Sequence, residues 1–282
     1  MQFVWYNAHV GKMLTEQFLK KWYLDKGLST WAIEKRFGFS RSSVYQALKK
    51  HQIQARTLAK SHIRYARADF SGDKCEEAYL LGFSIGDLRV RILNKKQSET
   101  ISIGCGSTKR AQIVLIEGLF SSYGRVWKGA PDRRGAVNIE AFVNKSFSFL
   151  LPRVRSYKWC ANNADHFFSF LAGFTDAEGS FFISNGKAFV SWGNYNHGIL
   201  LFIKRGLLKF DIKSPALCRD TLQGYIGAHG YRRNKNYWHL TITRKVAVKE
   251  LLDRLGPLTM HADKKRALVC LRRNLIMRGL AV

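Results

Sequence analysis

The chain's 282 residues suffice for one large domain, or two ordinary ones with a small one added, and a hydrophobic share of 46% excludes a wholly disordered chain. Lys and Arg number 47 against 20 Asp and Glu, a net charge of +27 whose self-repulsion points to a polyanionic partner. The charge runs along the whole length, which favours nucleic acid over a membrane surface, and no run of about 18 uncharged apolar residues offers a membrane span.

The five cysteines (Cys75, Cys105, Cys160, Cys218, Cys270) are scattered and form no CxxC pair. They indicate neither a zinc site nor a disulfide framework. Met1-Gln2-Phe3-Val4-Trp5 lacks the basic region and apolar core of a signal peptide. The expected location is a reducing intracellular compartment (cytoplasm or nucleoid, with an organelle left open), not the exterior.

In chain order, residues 16–53 read as helices. Glu16 to Lys26 is the first, and Gly27 breaks it. Ser29 or Thr30 caps a second, with Ala32, Ile33 and Phe37 on its apolar side. Gly38 makes a turn, and Ser40 caps a third, Arg41 to Lys50, with Val44, Leu48 and Tyr45 facing inward. Helix, glycine turn, helix resembles a DNA-binding helix-turn-helix, with Arg41, Ser42, Ser43 and Gln46 presented to a groove. The competing reading is a three-helix capping module, and the basic balance favours DNA. This sets a domain at 1–55 and a basic linker, rich in Arg, Lys, Ser and Ala, at 56–72.

Asp73 with Glu76 opens the next helix. It runs into Leu80-Leu81-Gly82-Phe83-Ser84-Ile85-Gly86-Asp87. Two alternating segments follow, 89–93 and 100–103, then a helical pattern over 109–123. Strands 125–127 and 137–143 and a short helix at 146–151 close this half. The second half repeats the order. Asn162 or Asn163 starts a helix ending in Leu171-Ala172-Gly173-Phe174-Thr175-Asp176-Ala177-Glu178. Strands 180–184 and 187–192 flank Asn185-Gly186, a hairpin signal. A helix at 198–210, strands 216–226 and 237–243, a helix at 246–254 and a basic helix at 263–278 complete it. The halves span 73–158 and 159–282, and 91 residues separate Asp87 from Glu178.

Gly82 and Gly86, like Gly173 and Ala177, stand four apart on one helix face. Each helix therefore carries a smooth stripe that lets another backbone approach. If the stripes pair, Asp87 and Glu178 meet at the end of the seam. Helix C-termini and hard carboxylate oxygens both suit a cation such as Mg²⁺. A lone acid after an apolar helix is otherwise a solvated helix end; two of them after matching stripes favour metal ligation.

The two segments resemble the motif of the LAGLIDADG homing endonucleases, in the two-motif single-chain form, over residues 73–278. LAGFTDAEG is a close match; LLGFSIGDL has Leu88 where glycine is usual. The resemblance implies an α+β fold of two pseudo-symmetric αββαββα units, with antiparallel sheets forming a saddle and a two-helix interface of Gly82, Gly86, Gly173 and Ala177. It implies a monomer that binds double-stranded DNA and cuts both strands using Mg²⁺ (or Mn²⁺) held by Asp87 and Glu178, with Asp176 not a ligand. It further implies basic catalytic residues at Lys145 and Lys245 and water-positioning residues at Thr108 or Lys109 and at Asn196. DNA contacts fall on Arg89, Arg91, Lys95, Arg125, Lys128, Arg133 and Arg134 in the first half. In the second they fall on Lys187, Trp192, Arg219, Gln223, Tyr225, Arg232, Arg233 and Lys235, with Lys264 and Lys265 as backbone clamps. The alternative is a non-cleaving regulator or an intron RNA splicing factor (maturase) on the same scaffold. A plain RNA binder is a third possibility, suggested by charge alone.

Overall fold

The computed structural model describes residues 14–57, 63, 65–93, 98–226, 230 and 232–280. The chain divides into two units, residues 1–64 and 65–282. In the first, α1 (Glu16–Leu19) runs on as a π-helical segment, Lys20–Asp25, followed by α2 (Thr30–Phe37) and α3 (Arg41–Lys50). Ser29 and Ser40 cap α2 and α3 by accepting from the amides of Ala32 and Ser43. Gly38, at φ +79°, ends α2 in the left-handed conformation that glycine tolerates. Leu19, Tyr23, Ile33, Val44 and Leu48 form the core. Tyr45, expected inside, is 54% exposed, because Val44 and Leu48 define the buried stripe and position 45 lies a helical step off it. Arg41, Ser42 and Gln46 are exposed, and Arg41 pairs with Glu34 at 3.1 Å.

The second unit begins earlier than residue 73. Arg67 donates to Thr100 Oγ1 at 2.7 Å, the Ala68 amide to the Tyr123 carbonyl, and Phe70 packs edge-on against Phe147 at 5.4 Å. Residues 65–72 of the expected linker thus belong to the folded unit. A single apolar anchor, Phe70, gives no periodicity to read.

Asp73 caps α4 (Lys74–Gly86), accepting from the Glu76 amide. Then come β1 (Arg89–Ile92), β2 (Ile101–Ser107), α5 (Arg110–Phe120), β3 (Arg125–Lys128), β4 (Val137–Val143) and a 3₁₀ turn, Lys145–Leu150. The second half has α6 (Ala164–Glu178), β5 (Gly179–Ser184), β6 (Lys187–Asn194), α7 (His197–Lys209), β7 (Cys218–Thr221), β8 (Tyr237–Ile242) and α8 (Lys245–Leu255). A further helix, α9 (Ala262–Met277), has no counterpart in the first half. The sheets have matching antiparallel orders, β1-β2-β4-β3 and β5-β6-β8-β7. Asn185 and Gly186 both take positive φ, the requirement of a two-residue primed hairpin turn. The strand expected over 216–226 is only Cys218–Thr221: pairing shifts between Arg219 and Thr221, and Gly224 turns the chain at φ +89°.

Strand alternation assigns the faces. Val90, Ile103 and Ala141 in one sheet, and Val190, Trp192 and Leu240 in the other, are buried in one core shared with α4 and α6. Among the described residues no helix is long and apolar enough to cross a membrane.

Candidate active site at the paired motif helices

The contact between α4 and α6 is the most extensive between any two elements. A Cβ on Gly82 would stand 2.0 Å from the Phe170 carbonyl oxygen, and one on Gly173 2.0 Å from that of Tyr79. A Cβ on Gly86 would stand 2.5 Å from Ala177 Cβ and 2.7 Å from Glu178 Cγ. The backbones touch at the glycines, as the small-residue stripes predict, and the touching ends carry Asp87 and Glu178.

The two ends differ. Glu178 is the last helical residue and Gly179 opens β5 directly; Asp87 is the cap of α4, and Leu88 intervenes before β1. At Gly179 a Cβ would lie 2.6 Å from Thr175 Cγ2. Leu88 packs against the core instead. The longer exit of α4 accommodates the residue that departs from the motif.

Each acid has a polar neighbour from the strand-to-helix turn of its own half. Gln112, buried in the first turn of α5, donates to Asp87 Oδ2 at 2.8 Å. Asn194, at the end of β6, donates to Glu178 Oε1 at 3.3 Å. Lys264, in the first turn of α9, is half-buried and donates to the Gly179 carbonyl. Gln112 and Lys264, with Lys109 and His261, line a cavity of about 370 Å³ beside Asp87, Asp176 and Ala177.

Burial raises the Asp87 carboxyl above the usual range, against the pull of Gln112, Lys264 and Lys109. Burial and the neighbouring Asp87 charge raise Glu178, against Lys264. Burial and Lys109 lower the Lys264 ammonium. The pair is therefore under-compensated, the condition that draws in a further cation.

Asp176 has a different task. It is 1% exposed, and its Oδ2 accepts from the Tyr79 hydroxyl at 2.6 Å, the Met260 amide at 2.6 Å and the His261 amide at 3.1 Å. It joins α4, α6 and the entry to α9 at one atom, and so fixes the turn that delivers Lys264.

Lys145 and Lys245 are not beside the acids. Lys145 pairs with Glu99 at 3.1 Å, and Lys245 donates to the Arg278 carbonyl. Both occupy the repeated strand-end position expected of them, yet each has a local partner, and the charges acting on Asp87 and Glu178 are Lys109 and Lys264. Thr108 and Lys109 line the cavity. Asn196 caps α7 through the Gly198 amide at 3.0 Å, leaving Asn194 beside Glu178. Sequence reasoning missed Gln112 and Asn194 and gave Lys264 only a clamp's role. Gln112 had a signal: it is a polar residue on the stripe of Leu115, Ile116 and Phe120.

On the first sheet's outward face Arg89, Arg91 and Arg125 are exposed, with Arg91 paired to Glu140 at 3.0 Å. Lys128 lies opposite buried Ile139 and reaches Glu117 of α5 at 2.9 Å, so it faces the helices. Arg133 and Arg134 are exposed in the β3–β4 turn, and Lys95 lies outside the described residues. In the second half Lys187 is exposed, but Trp192, expected on the DNA side, is fully buried and donates to Thr175 Oγ1 at 2.8 Å. The alternation that puts Val190 inside puts Trp192 inside too. Arg219 lies over the Trp238 ring at 6.0 Å, and Arg233 donates to the Tyr195 hydroxyl. Gln223, Tyr225, Arg232, Arg233 and Lys235 are exposed between β7 and β8, and Lys265 is exposed on α9.

Two halves of one sheet topology are thus joined at glycine-striped helices that end in acids. Residues 171–274 match the family model described as LAGLIDADG endonuclease. Over those residues, which hold the second motif, the chain is similar to that family. Its fold is similar to that of I-DmoI in a crystal structure with DNA and Ca, at TM-score 0.50 and 16% identity, covering 70% of this chain and 98% of that one. I-DmoI with DNA and Mn gives 0.46 and 18%, covering 65% and 97%. The N-terminal LAGLIDADG domain of WhiA gives 0.43 and 17%, covering 66% and 84%. No curated protein sequence matches the chain.

Proposed function

We propose that the chain is a site-specific DNA endonuclease that makes a double-strand break by metal-dependent phosphodiester hydrolysis. The observation that carries this reading is the meeting of the helix ends that bear Asp87 and Glu178, one from each half, with the Asp87 side opening on a cavity lined by Lys109, Gln112 and Lys264. I-DmoI, whose fold the chain shares, is seen with DNA and Ca, and duplex DNA and a divalent ion are taken as the ligands here by analogy.

The donor set suits Mg²⁺ or Mn²⁺ shared with the substrate. Among the described residues no group of three or more His, Cys, Asp or Glu could cage a metal. Two hard carboxylates complete a shell with phosphate oxygens and water, as Mg²⁺ sites on phosphate substrates do. When bound, the ion supplies charge neutralisation and an acidified water. Asp87 and Glu178 would hold it, and Gln112 and Asn194, which donate to them, orient the carboxylates. Lys264 and Lys109 donate to phosphate oxygens as negative charge develops. Arg89, Arg91 and Arg125 on the first sheet and Arg232, Arg233 and Lys235 beyond the second contact DNA, with most basic groups on phosphates. The three-helix unit adds a groove contact through Arg41, Ser42 and Gln46. The protein acts as a monomer, because both halves of the site lie in one chain.

The test is incubation of linear duplex carrying the uninterrupted insertion site with Mg²⁺. The parent cuts both strands and EDTA stops it. Asp87→Asn and Glu178→Gln each lose about a hundredfold or more in rate, the scale of removing one group that stabilises developing charge, while retaining binding. Equal cutting by both variants overturns the assignment. A second reading, a binding protein without cleavage that acts on DNA as a regulator or on intron RNA, draws on the additional three-helix unit. It is the one supported if the parent binds duplex or structured RNA at fixed salt without cutting.

A further inference from the structure

The outward faces of the two sheets, equivalent in topology, differ in chemistry. On the first, Arg89, Arg91 and Arg125 stand exposed, and Glu140 accepts from Arg91 and Ser102. On the second, no outward position of β5, β6 or β8 is an arginine. Phe182 and Phe189 there lie directly opposite one another across β5 and β6. Their rings stack at 5.0 Å with planes 5° apart, and Phe182 is 40% exposed. Stacked phenyl rings on a solvent face near the edge of a sheet gain nothing from water.

We infer that the two sheets read opposite kinds of base, with guanines under the arginines of β1 and β3 and thymine methyl groups under Phe182 and Phe189. The inference rests on the reading that the outward faces lie on duplex DNA. In the major groove guanine presents N7 and O6 to an arginine fork, and thymine alone presents a methyl group, which apolar side chains such as Phe contact. Glu140 strengthens the first assignment, since a guanidinium held by a carboxylate keeps its fork in one orientation. Beside one outward lysine, Lys187, the two phenyl rings are the apolar cover of the second face, so its base discrimination comes from removing methyl groups from water while basic groups of that half hold phosphates. The preferred target is accordingly asymmetric: one half-site guanine-rich, the other thymine-rich.

The experiment selects bound duplexes from a randomised library with the full-length protein, then replaces bases one half-site at a time. Deoxyuridine removes only the thymine methyl; 7-deazaguanine removes only N7. Deoxyuridine is expected to weaken binding about fourfold per contacted methyl, the factor carried by burying one such group, in one half-site alone. 7-Deazaguanine is expected to weaken it in the other. Phe182→Ser combined with Phe189→Ser removes the deoxyuridine response and keeps the 7-deazaguanine response. Equal binding of thymine and uracil duplexes in both half-sites overturns the inference and leaves DNA recognition standing, as does a deoxyuridine loss that persists in the double variant. Failure to select any duplex overturns both.

Discussion

Glu178 and Asp87 are charged groups in a place that disfavours their charge. Burial raises both carboxyls, so the folded chain binds protons there more tightly than the unfolded chain. By linkage, without metal, this works against stability as pH rises from the ordinary carboxylate range through the raised folded values, and the loss is complete above them. Glu178→Gln removes the Glu178 share and should raise the metal-free melting temperature at neutral pH, by less than the about 2–4 °C that roughly 1 kcal/mol gives in a unit of this size, since solvent screens a half-buried group. Addition of Mg²⁺ should then stabilise the parent more than the variant in the same scan; an unchanged or lower melting temperature counts against an under-compensated pair. Lys264 is placed against local rules as well. It stands in the first turn of α9, where the helix dipole disfavours cations. A residue that conflicts with its own helix is a signature of a working site. Lys264→Met should slow cleavage about a hundredfold with little change in duplex affinity. Lys145→Met and Lys245→Met, whose partners are Glu99 and the Arg278 carbonyl, should cost far less. Single-turnover cleavage beside equilibrium binding separates these outcomes.

At the scale of elements, the α4–α6 seam tolerates no added bulk. Gly82→Ala drives a methyl to within 2.0 Å of a backbone oxygen and should destabilise the second unit by about 3 kcal/mol, the upper range of overpacking. Gly118→Ala, on α5 with nothing within 4 Å, should instead stabilise by about 0.5–1 kcal/mol. Urea denaturation of the two variants tests the contrast. The seam was legible because the spacing of small residues is a one-dimensional signal. The helices and the two sheets were legible for the same reason: period 3.6 or 2, then glycine or a cap. Gln112 and Asn194 were not, because what brings them to the acids is the packing of α5 and β6 over the motif helices, a contact between distant stretches. Trp192 was misplaced because an aromatic residue in a basic chain looks like a base contact until β6 fixes which alternate positions are inside. Residues 65–72 were read as linker because one phenylalanine and one arginine, not a pattern, dock them.

The whole molecule is two units with separate cores, one with five buried side chains among the described residues and one that runs through both halves of the repeat. Residues 65–282 should therefore keep their cooperative unfolding transition when residues 1–64 are removed. If the three-helix unit lies on DNA, the truncated protein should bind more weakly and with a shallower dependence of log K on log salt, since fewer phosphate contacts release fewer ions. An unchanged salt slope removes the DNA role from that unit.

The hydrogen bond from Tyr79 to Asp176 distinguishes the two halves by more than sequence. Tyr79 in α4 corresponds to Phe170 in α6, and Asp176 corresponds to Ile85. Two first halves meeting at the seam would set a buried tyrosine hydroxyl against isoleucine. Two second halves would bury an aspartate against phenylalanine. The first pairing strands a hydroxyl at a cost of about 1–3 kcal/mol at each of its two equivalent positions, and the second takes the tyrosine donor from each Asp176, leaving it the Met260 and His261 amides of its own half. Only unlike halves satisfy both partners. A chain whose halves share one topology thus carries a lock against like-with-like pairing, and each half selects its complement over a copy of itself from another molecule.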